Sequence, residues 1–101
     1  MLYLNLETKM DYNYIRGMLK SNLCNVTFTK VDGTERHMRC TLADRFLPEQ
    51  YRGKGDLLTE AGNNIRVFDM DINEWRSFRV DSVTNIGYDQ SVHTNATLLN
   101  G

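Results

Sequence analysis

The sequence predicts a mainly β fold: a small five-stranded antiparallel barrel with a short N-terminal helix and one long loop. Three observations carry that reading. Residues 24–42 alternate apolar and polar on both sides of Asp32-Gly33, the pattern of a half-buried hairpin. After a long irregular stretch, Asn64–Met70 and a run from Trp75 return to strand character, and a tight corner at Asp81-Ser82 leads into a last strand ending on Ile86-Gly87. Five short antiparallel strands with hairpin links cannot bury both faces as a flat sheet, so they close into a barrel, and the helix covers one open end.

In order along the chain, Leu2, Leu4 and Leu6 alternate with Tyr3, Asn5 and Glu7, a period-two signal for an extra edge strand in an extension over residues 1–10. Asp11 is placed to cap a helix, with Met10 and Ile15 as a hydrophobic staple. Ile15, Met18, Leu19 and Leu23 share one helical face, Lys20 suits the last turn, and Gly17 costs about 1 kcal/mol relative to alanine. The expectation is a short helix held by docking.

In the hairpin, Cys24, Val26 and Phe28 form one face and Met38, Cys40 and Leu42 the returning one. A two-residue turn would set Phe28 opposite His37 and Val26 opposite Arg39, mixing the faces. A three-residue loop, Val31-Asp32-Gly33 with Gly33 left-handed, sets Val26 opposite Met38 and Cys24 opposite Cys40, leaving Thr27–His37 and Asn25–Arg39 outside. Register follows the buried face, so the three-residue loop is expected. Residues 43–63, with Pro48 and three glycines, make a long loop of a kind that is usually functional or mobile. Residues 11–87 thus form the domain, and 88–101 a polar, frayed tail.

The totals bound the function classes. The 101 residues make one domain, and a net charge of -1 gives no global pull towards nucleic acid or an anionic membrane. Every Lys and Arg lies at or before Arg79, so any basic face belongs to the folded body. No segment reaches the roughly 20 apolar residues of a membrane span, and Met1–Leu6 lack the basic region and cleavage site of a secretory signal. A cytoplasmic location follows, with Cys24 and Cys40 as reduced, core-packed thiols.

The segment Trp75-Arg76-Ser77-Phe78-Arg79-Val80-Asp81-Ser82-Val83 is similar to the arginine-rich strand and corner that end many WYL domains, SH3-like barrels of bacterial transcription regulators. The hairpin Val26–Thr34 with Met38–Leu42 more narrowly resembles a small phage-encoded family described as an Sm-like SH3-type barrel, a second WYL-like family. The likeness covers about residues 22–87, and the chain lacks the Trp-Tyr-Leu tripeptide of true WYL domains. It implies an SH3/Sm-like barrel, a phage accessory protein in the host cytoplasm, and edge-to-edge assembly into a homo-oligomer, for which Leu2, Leu4 and Leu6 would supply an edge.

The expected function is non-enzymatic binding of nucleic acid or a nucleotide. Arg36, Arg39, Arg76 and Arg79 fall on strands expected to be neighbours, with Lys30 at the adjoining hairpin, and arginine forks match phosphate. Trp75 beside Arg79 on an outer face would stack a base, with further contacts from Arg45, Tyr51, Arg52 and Lys54 on the loop. The competing reading neutralises the arginines with Asp69, Asp71, Glu74 or Asp81. The alternative function is a protein-interaction module that inhibits or redirects a host protein through Phe46, Leu47 and Tyr51. Catalysis, a metal and a cofactor are not expected. His37 and His93 lack partners at ligand spacing, Arg52-Gly53-Lys54-Gly55 lacks the helix that follows a phosphate loop, and the acidic turn around Asp69, Asp71 and Glu74 lacks calcium-loop spacing.

Overall fold

Helix α1, Tyr12–Ser21, starts where the Asp11 carboxylate accepts a hydrogen bond from the Tyr14 N–H. The computed structural model describes residues 11–54 and 63–90. A ten-residue helix is marginal by itself in water, so α1 depends on what it packs against. Ile15 and Leu19 are fully buried in the main core, each contributing about 1.5–3 kcal/mol, and the Leu42 N–H donates to the Leu19 carbonyl. Met10 of the expected staple lies outside the described residues. Leu23, expected on the helical face, instead opens the first strand, because the helix ends at Ser21 and Asn22 is extended.

The strands are β1 Leu23–Thr29, β2 Glu35–Thr41, β3 Asn64–Asp69, β4 Glu74–Arg79 and β5 Val83–Tyr88. They form one antiparallel sheet in the order β4-β3-β2-β1-β5. The β1–β2 register pairs Cys24 with Cys40, Val26 with Met38, and Thr27 with His37, the register that keeps one face apolar. Lys30 and Thr34 close a loop of Val31-Asp32-Gly33, with Gly33 at φ 90, a conformation that favours glycine. Outside, the Thr27 hydroxyl bonds His37 Nδ1 at 2.9 Å.

β2 pairs with β3 only at Cys40–Asp69 and Thr41–Phe68, whereas β3 and β4 pair along their whole length. The sheet therefore bends sharply between β2 and β3. That bend brings Ile65, Val67, Phe78 and Val80 onto Val26, Phe28, Met38, Cys40 and Ile86 in one core. A 3-10 turn, Val80–Ser82, carries the chain from β4 to β5, and β5 pairs with β1 through a register shift at Thr27/Phe28.

The long loop is more ordered than its composition suggests. It contains 3-10 turns at Asp44–Phe46 and Glu49–Tyr51, and Leu47 between them is buried. Tyr51 folds over the outer face of β3–β4, its ring 5.6 Å from both Phe68 and Trp75, themselves 5.5 Å apart. The tail begins later than its polarity suggests. β5 runs through Tyr88, and Asp89 is buried with its N–H donating to the Leu23 carbonyl. The Leu2, Leu4 and Leu6 strand and residues 91–101 lie outside the described residues. Among the described residues no helix is long and apolar enough to cross a membrane.

Candidate functional site

The four strand arginines do not form one face. Side chains alternate along a strand, so residues three apart point to opposite sides. Arg36 shares the inner phase of Met38 and Cys40, while Arg39 shares the outer phase of His37; Arg76 and Arg79 divide in the same way on β4. β3 also separates β2 from β4.

Carboxylates occupy three of the four. Arg36 lies 3.7 Å from the buried Asp69. Arg39 reaches over β1 to Asp89 through Nε and lies 3.5 Å from Asp71. Arg79 grips Asp81 with both prongs, Nε to Oδ1 at 3.0 Å and Nη2 to Oδ2 at 2.7 Å. That hydrogen-bonded pair raises the Arg79 pKa and lowers that of Asp81. Arg76, half-buried opposite Val67, makes no ion pair among the described residues.

Trp75 is likewise not a platform beside Arg79, since its ring stands edge-on to Tyr51 and Phe68. Of the loop residues, Arg45 lies over the Phe46 ring at 4.7 Å and donates to the Ser21 carbonyl, and Arg52 Nε donates to the Leu47 carbonyl. Tyr51 completes the aromatic trio, and only Lys54 stays exposed without a side-chain partner among the described residues. Of the three apolar loop residues, Leu47 is buried, Tyr51 packs on Phe68 and Trp75, and Phe46 is half-buried beneath Arg45.

A different constellation stands at the barrel end far from α1. β1 continues past its last pairing with β5, Phe28–Val83, and the outer edge of β4 bonds no other strand among the described residues. Between them lies a cleft of about 470 Å³ lined by Phe28–Asp32, Ser77–Arg79 and Ser82. Its floor is apolar: the Phe28 and Phe78 rings stack at 5.4 Å and an interplanar angle of 20°. Its rim carries Thr29, Ser77 and Ser82, whose hydroxyl donates to the Arg79 carbonyl, and the charged side chains of Lys30, Asp32 and Arg79.

The rim charges differ in commitment. Lys30 makes no ion pair among the described residues, although Asp32 feels its field. Asp32 is held by Thr34, whose hydroxyl donates at 2.7 Å and whose N–H donates at 3.0 Å; these bonds lower its pKa. Val31, at the hairpin tip, is fully exposed. Sequence reasoning singled out Arg79, with Lys30 at the adjoining hairpin, but missed Phe28 and Phe78 as partners in a site. The available signal was that each Phe closes the inward-facing row of its strand.

The opposite end of the barrel holds unreactive groups. Burial pushes the Cys24 thiol up to about 12, with Asp89 adding to the effect, and raises Cys40 well above its ordinary value. Among the described residues no group of three or more His, Cys, Asp and Glu side chains is placed to hold a metal ion.

Comparison with known proteins agrees with this architecture. The chain matches the family described as WYL_2, Sm-like SH3 beta-barrel fold, over residues 13–84. It is also similar to the uncharacterized 11.5 kDa protein in the Gp31-cd intergenic region of Enterobacteria phage T4, with 37% identity over 78 residues, 71% of this chain and 76% of that one. No solved structure matches. A helix followed by five antiparallel strands with a 3-10 corner before the last, together with a match over residues 13–84, places this chain in the WYL_2 family of Sm-like SH3 β-barrels.

Proposed function

We propose that this protein is a non-enzymatic phage accessory protein that binds a nucleotide or single-stranded nucleic acid in the cleft between the β1–β2 hairpin tip and the β4–β5 corner. The observation that carries the reading is the stacked Phe28–Phe78 floor beneath a rim bearing Lys30, Arg79 and three hydroxyls, with Asp32 on the same rim turned to Thr34. Apolar floors with a few polar groups at the rim are the usual form of small-ligand sites, and a base is flat, apolar on its faces and joined to an anion. The similarity to a phage protein supports the setting, the host cytoplasm.

Arg36 and Arg39 do not line the cleft, so the cationic contribution comes from Lys30 and Arg79, the latter after exchange with Asp81. Two phosphate contacts predict a shallow salt dependence, a slope of log K against log salt of about -1.4 for a single strand. Titration of the protein with single-stranded RNA, single-stranded DNA and free nucleotides at two salt concentrations tests this. Salt-sensitive binding lost in Lys30→Ala supports the reading; no salt-sensitive binding to any of these ligands refutes it.

The exposed Val31 at the same rim favours a second reading, a host protein that inserts an apolar side chain into the cleft. A stoichiometric partner that survives nuclease treatment and is lost in Val31→Asp would select it.

A further inference from the structure

The Arg79–Asp81 pair narrows the ligand class, given the nucleotide reading above. Asp81 sits two residues from Arg79 and presents two carboxylate oxygens to it side-on, in the fork geometry that a phosphate also adopts. Both side chains are more than half exposed, at 63% and 53%, so the pair is accessible to an incoming anion and weakly held in water. It is nevertheless covalently tethered. An internal competitor on so short a link acts at an effective concentration on the order of millimolar or higher.

A phosphodiester brings one negative charge, the same as the carboxylate it would have to displace. It gains little by the exchange. A phosphate monoester carries about -1.5 to -2 at neutral pH and offers three acceptor oxygens. It can therefore take the guanidinium from Asp81 while its remaining charge meets Lys30 on the facing hairpin, which has no ion pair among the described residues. Volume points the same way: about 470 Å³ accommodates one nucleotide rather than a run of them.

We propose that the cleft is selective for a nucleotide carrying a phosphate monoester, either free or at the end of a strand, and that Asp81 sets this selectivity by occupying Arg79 against internal diesters. The base lies towards the Phe28–Phe78 floor, Ser77 and Thr29 border the sugar, and the terminal phosphate bridges Lys30 and Arg79.

The test compares four ligands by amide chemical-shift titration: thymidine 5′-monophosphate, pentathymidylate with a 5′-phosphate, the same strand with a 3′-phosphate, and the strand with neither. The expected result is that at least one phosphorylated strand binds about tenfold or more tightly than the unphosphorylated one, with shifts at Lys30, Ser77 and Arg79. Monophosphate binding as tight as that of the strand identifies the free nucleotide as the source. In Asp81→Asn the unphosphorylated strand gains affinity and the discrimination shrinks severalfold. Equal binding of phosphorylated and unphosphorylated strands overturns the monoester selectivity and leaves the nucleic-acid reading standing. If none of the four ligands shifts the cleft residues in either protein, both fall.

Discussion

Phe28 of β1 and Phe78 of β4 stack at 5.4 Å although their strands are not neighbours in the sheet. The ladder leaves a seam there, and two rings bridge it. Removing either ring opens a cavity in the core at a point where β1 and β4 are not paired with each other. Phe78→Ala is expected to lower stability by about 3–5 kcal/mol, a large share of what a domain of this size has, and Phe78→Leu by much less. Urea denaturation measures the difference.

The Arg39–Asp89 contact should be asymmetric under mutation. Asp89 is 4% exposed, whereas the Arg39 side chain is 37% exposed. Arg39→Ala takes a hydrogen-bonded cation from a buried carboxylate, with an expected loss of about 2–3 kcal/mol; Asp89→Asn leaves a cation that water can reach, with a loss of about 1 kcal/mol. Nucleotide affinity, measured on the folded variants, should be unchanged by either. A selective loss of binding in Arg39→Ala would instead restore the outer face of β2 as the binding surface.

Trp75 is the chain's single tryptophan and reports on the loop. Its ring is covered by Tyr51. Tyr51→Ala should shift its emission to longer wavelength and increase quenching by acrylamide, with a modest loss of stability. Unchanged fluorescence would mean that the loop does not hold Tyr51 there in solution.

The buried thiols give a pH prediction with a definite sign. The Cys24 pKa is raised from 9.0 to about 12, and Cys40 is raised too, so folding favours their neutral forms. Their contribution is complete below pH 9, where both states hold the proton, and is lost as pH rises towards the folded values. Thiol reagents at pH 8 should label neither cysteine until the protein unfolds. At the acid end, Asp32 and Asp81 are depressed below 3.8; their contribution is present above that value and lost as pH falls through the folded one. A thermal-melt series across pH checks both limits.

Much of the fold was legible in the sequence because it is written in local periodicity. The alternation of Cys24, Val26 and Phe28 against Met38 and Cys40 was enough to choose a three-residue loop over a two-residue one, and the β1–β2 register follows that choice. Asp11 marked the helix start through a contact three residues long. Phe68 was harder: it occupies the outer phase of β3, where Trp75 from β4 and Tyr51 from a distant loop pack against it. The arginine partners were legible in part. Three-residue spacing on a strand already separates Arg36 from Arg39, but the Arg39–Asp89 pair spans 50 positions, and no local pattern announces it. The cleft was hidden for the same reason, since its two walls meet only through the bend of the whole sheet.

The seam joined by Phe28 and Phe78 gives this small barrel a division of labour between backbone and side chain. The cleft's floor consists of two rings, and its walls are a hairpin tip and a corner whose hydrogen bonds do not pass through those rings. A volume-conserving change shared between the two side chains would thus reshape the recess and leave every strand pairing in place. A scaffold built this way can change what it holds without changing how it is folded.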